Sequence, residues 1–146
     1  GMPHVPPPLI ALSAAVAQRR LGTGSRPGPL RKAAAAAAAA GSVWMLAGSA
    51  QAFRRKGTTV NPLQPTRATG LVTDGPNRVT RNPMYVGMAG LLVAHGLLRG
   101  GWRTALPVAT FVAVIDRVQI PPEEAAMREL FGADYAAYSG RVRRWL

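Results

Sequence analysis

The chain has 146 residues and a formal net charge of +12, from 18 Lys and Arg against 6 Asp and Glu. This is a single-domain length, and the absence of cysteine excludes a disulfide framework, a thiolate metal site and a cysteine nucleophile. So strong a positive charge suits phosphate binding, but the arginines stand at the ends of uncharged segments, as in AQRRLG and AFRRKG. Because that pattern is typical of charge flanking a membrane span, we expect membrane lipids as partners and no nucleic acid. Gly1 before Met2 is interpreted as a cloning scar, so 2–146 is predicted to form a single domain.

Four uncharged segments predict the helices of the fold, and the first two lie in the N-terminal half. The first, 8–18, follows three prolines and is only weakly apolar. The second, 33–53, is twenty-one residues long, enough to cross a hydrocarbon core of about 30 Å at about 1.5 Å per residue. Its alanine tract is weakly hydrophobic, so we expect this helix to pack closely among others. A buried alanine helix of a soluble bundle is the alternative.

The last two segments, 84–98 and 104–115, are separated by RGGWR and predict an antiparallel helical hairpin. Each is short for a span, but helical extension to 82–98 and 102–120 brings both close to spanning length. The predicted fold is therefore all-α, an integral membrane bundle of about four transmembrane helices.

The distribution of charged residues predicts the orientation of this bundle. The side with the 54–82 loop and the C-terminal tail carries eleven Lys and Arg, and the other side carries seven. Since the more basic side faces the cytoplasm, the loop and the tail are placed there. All six acidic residues fall on the same side: Asp74, Asp116, Glu123, Glu124, Glu129 and Asp134.

The sequence after the hairpin, IPPEEAAMRELFGADYAAYSGRVRRWL, predicts a separate amphipathic helix. Pro121 and Pro122 are expected to stop the preceding helix and to begin this one, since proline is tolerated in a first turn. Glutamates near its start suit the helix dipole, and Gly132 is expected to interrupt it. Because the segment is too polar to span, it is predicted to cap the bundle on the cytoplasmic face.

The adjacent Glu123 and Glu124, with Asp116 nearby, form the acidic cluster of the sequence. If the protein binds a cation, this cluster is the predicted place. The alternative is that the pair only caps a helix and balances Arg117 and Arg128.

The RNPMY motif predicts a helix start beside basic side chains. Asn82 is expected to cap the helix, with Pro83 at its first position. Free backbone donors at that end, together with Arg78 and Arg81, are predicted to form an anion site. The alternative is that Arg81 anchors lipid headgroups and that Tyr85 is an interface aromatic.

Other site chemistries have little support in the sequence. Gly87 and Gly90 do not form a dinucleotide fingerprint, because no strand precedes them, and no nucleophile elbow of a serine hydrolase is present. No metal is predicted, since His4 lies in a proline-rich end and His95 is alone in an apolar helix, where a packing role is expected.

Three motifs at this spacing make the chain resemble the short bacterial members of the isoprenylcysteine carboxyl methyltransferase and phospholipid methyltransferase superfamily. They are Gly-Pro-x-Arg at 75–78, Arg-Asn-Pro-x-Tyr at 81–85, and Glu-Glu at 123–124 followed by Phe-Gly and two tyrosines. The resemblance covers nearly the whole chain. It implies an enzyme of the bacterial inner membrane that uses S-adenosylmethionine and releases S-adenosylhomocysteine. The cofactor is expected on the cytoplasmic side, beneath the C-terminal segment.

The resemblance also implies roles for individual residues. The implied catalytic residues are Glu123, Glu124 and Arg81. The implied cofactor-binding residues are Gly75, Pro76, Arg78, Arg81, Asn82, Pro83, Tyr85, Gly87, Glu124 and Tyr135. Two positions depart from the family: Asn77 stands where an aromatic residue is frequent, and Asn82 where histidine is common. The pocket wall and one cofactor contact are therefore expected to differ.

The expected reaction is methyl transfer to a lipid-like acceptor, either a carboxylate, an amine or a thiol, at the cytoplasmic membrane surface. The nucleophile must lie in line with the methyl group at about 3 to 3.5 Å. A carboxylate needs no base, whereas the ammonium of phosphatidylethanolamine must first lose a proton, for which Glu123 or Glu124 is the expected general base. The alternatives are a membrane sterol reductase that uses NADPH and a non-catalytic membrane adaptor.

Overall fold

The computed structural model describes residues 5–57 and 70–146, so His4 and residues 58–69 of the basic loop lie outside it. Within the described residues the chain is helical and has no strand, which confirms the predicted all-α class. The helices are α1 (Pro7–Leu21), α2 (Pro29–Lys56), α3 (Pro83–Arg99), α4 (Ala105–Val114) and α5 (Ile120–Arg141). Short 3₁₀ turns precede α3 and α4, at Gly75–Arg78 and Trp102–Thr104.

Proline begins three of these helices, at Pro7, Pro29 and Pro83. The first backbone N–H of a helix has no intrahelical acceptor, so a missing N–H costs nothing there, and the fixed φ of proline favours the first turn. At its other end α2 stops at Gly57, whose φ of 71° is in the left-handed region that favours glycine. The predicted segment 33–53 therefore lies wholly inside α2.

Two helical stretches of the described chain are long and apolar enough to cross a membrane, Pro29–Lys56 and Trp102–Arg141. α1 and α3 have 15 and 17 residues, fewer than the about 20 residues that a full span needs. The count of four spans and the cytoplasmic position of the C-terminal helix therefore stay predictions.

α3 lies at the centre of the bundle, in contact with α1, α2 and α4. Glycines let α2 approach it closely: a Cβ on Gly87 would lie 2.7 Å from Leu46 Cγ, and a Cβ on Gly90 would overlap the hydroxyl of Ser42. Small residues thus bring the alanine-rich helix against its neighbour. The main buried core consists of Tyr85, Leu92, Phe111, Ile115 and Ile120.

The predicted break of the helix at Pro121 and Pro122 is wrong. The chain passes from α4 into α5 through a π-helical stretch, Ile115–Gln119, and keeps helical φ and ψ values on both sides. The prolines closely follow this stretch, where Ile120 N donates to Ile115 O, so the i→i−4 hydrogen-bond pattern that proline would interrupt is already altered there. The interruption comes later, at Gly132, which has φ 49° and ψ −118° and bends the helix.

The two ends of the bundle carry different parts of the sequence. The motif end is formed by the end of α2, the 75–82 segment, the start of α3, α5 and the tail 142–146. The opposite end is formed by the end of α1, the start of α2, the end of α3 and the 3₁₀ turn before α4. There Thr23 N donates to Gly100 O (3.0 Å), which joins the two connections of that end.

Candidate active site

The 75–82 segment turns sharply at the motif end. Gly75 has φ 60°, in the left-handed region that favours glycine, and it is the first residue of the 3₁₀ turn Gly75–Arg78. Pro76 lies against Gly48 of α2, where a Cβ would be 2.8 Å from Pro76 Cγ. Thr80 is fully buried. These contacts hold the segment on α2 and place Arg81 beside α5.

Glu124 is a buried carboxylate held by two arginines. Arg81 Nη1 lies 3.2 Å from its Oε2. Arg144 donates through Nη2 to Oε1 (2.6 Å) and through Nε to Oε2 (3.1 Å), which is a bidentate arrangement. Arg128 approaches Oε1 at 3.9 Å but is largely exposed. Since only 6% of Glu124 is exposed, guanidinium groups rather than water balance its charge.

Arg144 also joins Glu124 to the junction of α4 and α5. Its Nη1 donates to Asp116 Oδ1 (3.0 Å), and the indole Nε1 of Trp145 donates to the same oxygen (2.9 Å). The hydrogen bond with Glu124, followed by that with Asp116, raises the pKa of Arg144 above its ordinary value. We call Arg81, Asp116, Glu124 and Arg144 the ion-pair cluster. Two positive and two negative side chains meet there, so their charges balance.

The backbone of the C-terminal tail is bound to residues 80–82. Arg81 N donates to Arg143 O (2.8 Å), and Thr80 Oγ1 and Asn82 Nδ2 both donate to Arg144 O, each at 2.9 Å. The predicted capping by Asn82 is wrong in one respect. The residue stands at the N-cap position of α3, but its side chain makes no cap hydrogen bond and binds the tail instead.

Glu123 has a different environment from its neighbour. Tyr85 OH donates to Glu123 Oε1 (2.7 Å). Adjacent helical residues point about 100° apart, so Glu123 meets the start of α3 whereas Glu124 meets the tail. In the described part of the chain, no Lys or Arg forms an ion pair with Glu123. The two adjacent carboxylates therefore differ in charge compensation.

The bend at Gly132 returns two tyrosines of α5 to the 75–82 segment. Arg81 Nη1 donates to Tyr135 OH (3.3 Å). Tyr138 OH donates to Asn77 O (2.7 Å), and Asn77 Nδ2 lies 3.4 Å from the same hydroxyl. Both tyrosines are buried. The paired tyrosines of the motif thus hold the 75–82 segment against α5.

Two buried polar atoms of this region, Asn77 Oδ1 and Arg81 Nε, have no hydrogen-bond partner among the residues that the structure describes. Buried polar groups are nearly always hydrogen-bonded in folded proteins. An acceptor and a cationic donor are therefore available here to a polar ligand.

The structure brings some of the predicted site residues together and separates others. Those that lie together are Arg81, Asn82, Tyr85, Glu123, Glu124 and Tyr135. Pro76 and Gly87 instead pack against α2, and Arg78 is exposed, with Nε 3.4 Å from Gly75 O. The cofactor contacts of all these residues stay predictions.

Sequence reasoning missed Thr80, Arg144 and Trp145. Arg144 is one of several tail arginines in GRVRRWL, and it lies 20 residues from Glu124. Nothing in the local pattern distinguishes it from Arg143. The only usable signal is the tryptophan beside it, since a partly buried indole N–H needs an acceptor.

Residues 30–134 match the family model of the phospholipid methyltransferases. An uncharacterized protein of Haemophilus influenzae is 38% identical over 63 residues, which cover 43% of this chain and 100% of that protein. No solved structure matches the chain. The family indicates methyltransferase activity on lipid-like substrates, as the three motifs led us to expect. Because the matched region spans more than half of the chain and contains both the 75–82 segment and the Glu123–Glu124 pair, the chain belongs to the phospholipid methyltransferase family.

Proposed function

We propose that the protein transfers a methyl group from S-adenosylmethionine to an amine in the headgroup of a membrane lipid. The reaction is placed at the cytoplasmic surface of the bacterial inner membrane. Membership of the phospholipid methyltransferase family and the two apolar helices support this proposal. The observation that carries the choice of an amine acceptor is the environment of Glu123, whose carboxylate contacts Tyr85 OH and has no ion-pair partner in the described chain.

The chemistry of the motif end fits the cofactor. S-adenosylmethionine carries an ammonium, a sulfonium and a carboxylate, and when bound it supplies an electrophilic methyl group. Glu123 provides a negative charge for the cationic groups. Arg81, with its unpartnered Nε, and the backbone donors at the start of α3 provide a site for the carboxylate. Asn77 Oδ1 is a further acceptor for a polar group of the cofactor.

The two glutamates are assigned different roles. Glu124 accepts hydrogen bonds on both oxygens from Arg144 and pairs with Arg81. Because both of its oxygens are occupied by these guanidinium groups, Glu124 is assigned to hold the arginines in place. Glu123 has no such cationic partner in the described chain. A half-buried carboxylate without a counter-ion binds a proton more readily than a carboxylate exposed to water. It is therefore assigned as the general base that removes a proton from the lipid ammonium before the nitrogen attacks.

Isothermal titration of the purified protein in detergent with S-adenosylhomocysteine tests cofactor use. We expect saturable binding of S-adenosylhomocysteine and none of NADPH. The reverse result would support the sterol reductase alternative, and binding of neither would support a non-catalytic adaptor.

The acceptor is tested by transfer of a labelled methyl group from S-adenosylmethionine to lipid vesicles. We expect label in phosphatidylethanolamine and none in phosphatidylglycerol, which has no amine. Transfer to a free fatty acid or a prenyl carboxylate instead would mean that the acceptor is an oxygen nucleophile, and the assignment of Glu123 as a base would be wrong.

A further inference from the structure

A cavity of ≈ 490 Å³ lies at the opposite end of the bundle, far from the ion-pair cluster. Its walls come from the last turns of α3 and the first turns of α4, and it reaches Gln18 of α1 and Arg31 of α2. The volume is in the range of about 300 to 1,000 Å³ that is usual for small-ligand sites. Most of the lining side chains are apolar or absent: Val93, Leu97, Ala105, Val108, Ala109 and three glycines.

The polar groups at the bottom of this cavity are hydrogen-bonded to other groups of the protein. Gln18 is fully buried, and its Nε2 donates to Leu92 O (2.8 Å) and to Thr104 O (3.0 Å). Its Oε1 lies 2.9 Å from His95 Nδ1. Because these polar atoms have partners, the floor does not require a polar ligand, and the apolar walls favour a hydrocarbon chain.

A fixed positive charge lies at the edge of the cavity. Arg31 Nε donates to Leu97 O (2.8 Å), and its Nη1 donates to Ser25 Oγ (3.0 Å). Its Nη2 also lies 3.4 Å from both Ser25 O and Leu98 O. These four bonds hold the guanidinium at the end of α3 and leave one of its five N–H donors for a ligand. Trp102, which is 74% exposed, lies beside the cavity, as is typical of an aromatic residue at a headgroup level.

The opposite end of the bundle carries basic side chains, which favour a negatively charged ligand. The sequence has no Asp or Glu in 1–73 or in 75–115, so no carboxylate of the chain competes for these cations. Among the described residues, seven Lys and Arg lie at this end: Arg19, Arg20, Arg26, Arg31, Lys32, Arg99 and Arg103. An anionic headgroup is complementary to this surface.

We infer that the groove between α3 and α4 binds one acyl chain of an anionic phospholipid, with the lipid phosphate beside Arg31. The inference rests on the membrane placement proposed above, but it does not depend on methyl transfer or on the cofactor. In that placement the bound lipid belongs to the leaflet away from the motif end.

The test uses phosphatidylglycerol and phosphatidylcholine spin-labelled on the acyl chain, added to the full-length protein in phosphatidylcholine vesicles. Electron paramagnetic resonance reports the motionally restricted fraction of each lipid. One basic residue near the surface is expected to favour the anionic lipid by about fivefold. Equal restricted fractions for the two lipids would overturn the inference.

Matched variants separate this groove from general attraction to a basic protein. Arg31→Gln should lower the preference for phosphatidylglycerol by about fivefold, whereas Arg26→Gln, at an exposed position outside the groove, should leave it nearly unchanged. Equal effects of the two changes would mean that only net charge attracts the lipid.

A second pair of variants tests the acyl-chain site without changing the net charge of the protein. Ala109→Trp fills the groove and should remove most of the restricted phosphatidylglycerol signal. Ala113→Trp, one turn further along α4 at an exposed position outside the groove, should retain it. Retention in both variants would contradict the inference even if S-adenosylhomocysteine binds as proposed. Loss of cofactor binding with an intact lipid signal would contradict only the proposed function.

Discussion

Both ends of the helix bundle are rich in arginine, but the partners of these arginines differ. At the motif end, Arg81 and Arg144 share the buried carboxylate of Glu124. At the opposite end, Arg31 donates to Leu97 O and Arg99 donates to Arg19 O, so backbone carbonyls take the place of carboxylates.

The difference follows from where the six acidic residues stand in the sequence. Lys and Arg near the last turn of a helix interact favourably with its free carbonyls and with the negative end of its dipole. Such contacts leave the positive charge uncompensated, which suits an anionic lipid surface. At the motif end the carboxylates neutralise the arginines and fix their geometry, which suits a binding site. Arginine thus has two roles in this protein: it is paired with carboxylates at the motif end and keeps an uncompensated charge at the opposite end.

The largest effect on stability is expected for Glu124→Gln. The change leaves Arg81 and Arg144 without their shared counter-ion, and breaking a buried ion pair on one side costs about 3 to 5 kcal/mol of the free energy of unfolding. Turnover should fall by at least about tenfold as well. Chemical unfolding in detergent measures the first effect, with Glu129→Gln, exposed on the same helix, as the control. Unfolding at the parental denaturant concentration would show that the cluster contributes little.

Glu123→Gln is expected to act on catalysis and hardly on stability. Loss of a general base lowers turnover by about 100-fold or more, while no ion pair is broken among the described residues. The rate of methyl transfer to phosphatidylethanolamine vesicles, compared again with Glu129→Gln, measures this. A parental rate would mean that the acceptor needs no base.

Arg81→Lys tests whether the motif end depends on geometry or on charge alone. Lysine keeps the charge, but its single nitrogen cannot both replace Nη1, which contacts Glu124 and Tyr135, and supply the separate Nε donor that has no partner in the described residues. We expect S-adenosylmethionine binding to weaken by about 1 to 2 kcal/mol, with unliganded stability nearly the same. Titration calorimetry measures the difference, and Arg117→Lys, at a position that is 84% exposed, is the control. Binding equal to the parent would assign Arg81 to the lipid interface.

Arg117→Gln is expected to have the smallest effect. Arg117 Nε lies 3.3 Å from Asp116 Oδ2, but its side chain is 84% exposed, and exposed ion pairs contribute roughly 0 to 1 kcal/mol. The free energy of unfolding should therefore stay close to that of the parent. A large loss would show that the whole set of charges at the motif end, rather than its buried part, supports the fold.

Much of the fold could be predicted because its signals are local. Pro83 marks the start of α3, the uncharged run 33–53 lies within α2, and Gly132 bends α5 where expected. The effect of the prolines at 121 and 122 does not follow from these two residues alone, because it depends on the conformation of the residues before them. The π-helical stretch Ile115–Gln119 alters the backbone hydrogen-bond pattern just before the prolines, so the helix continues through them. No local sequence pattern predicts this stretch.

In the candidate site, too, some features follow from the sequence and others depend on tertiary contacts. The sequence alone determined that acidic residues occur only at one end, that a helix starts beside Arg81, and that Glu123 and Glu124 are adjacent. Only the tertiary structure decided which carboxylate is neutralised. Adjacent residues on a helix point about 100° apart, so one meets Tyr85 at the start of α3 and the other meets Arg144 of the tail. The choice among many arginines depends on how the tail folds back on residues 80–82, and that is a long-range contact without a local signature.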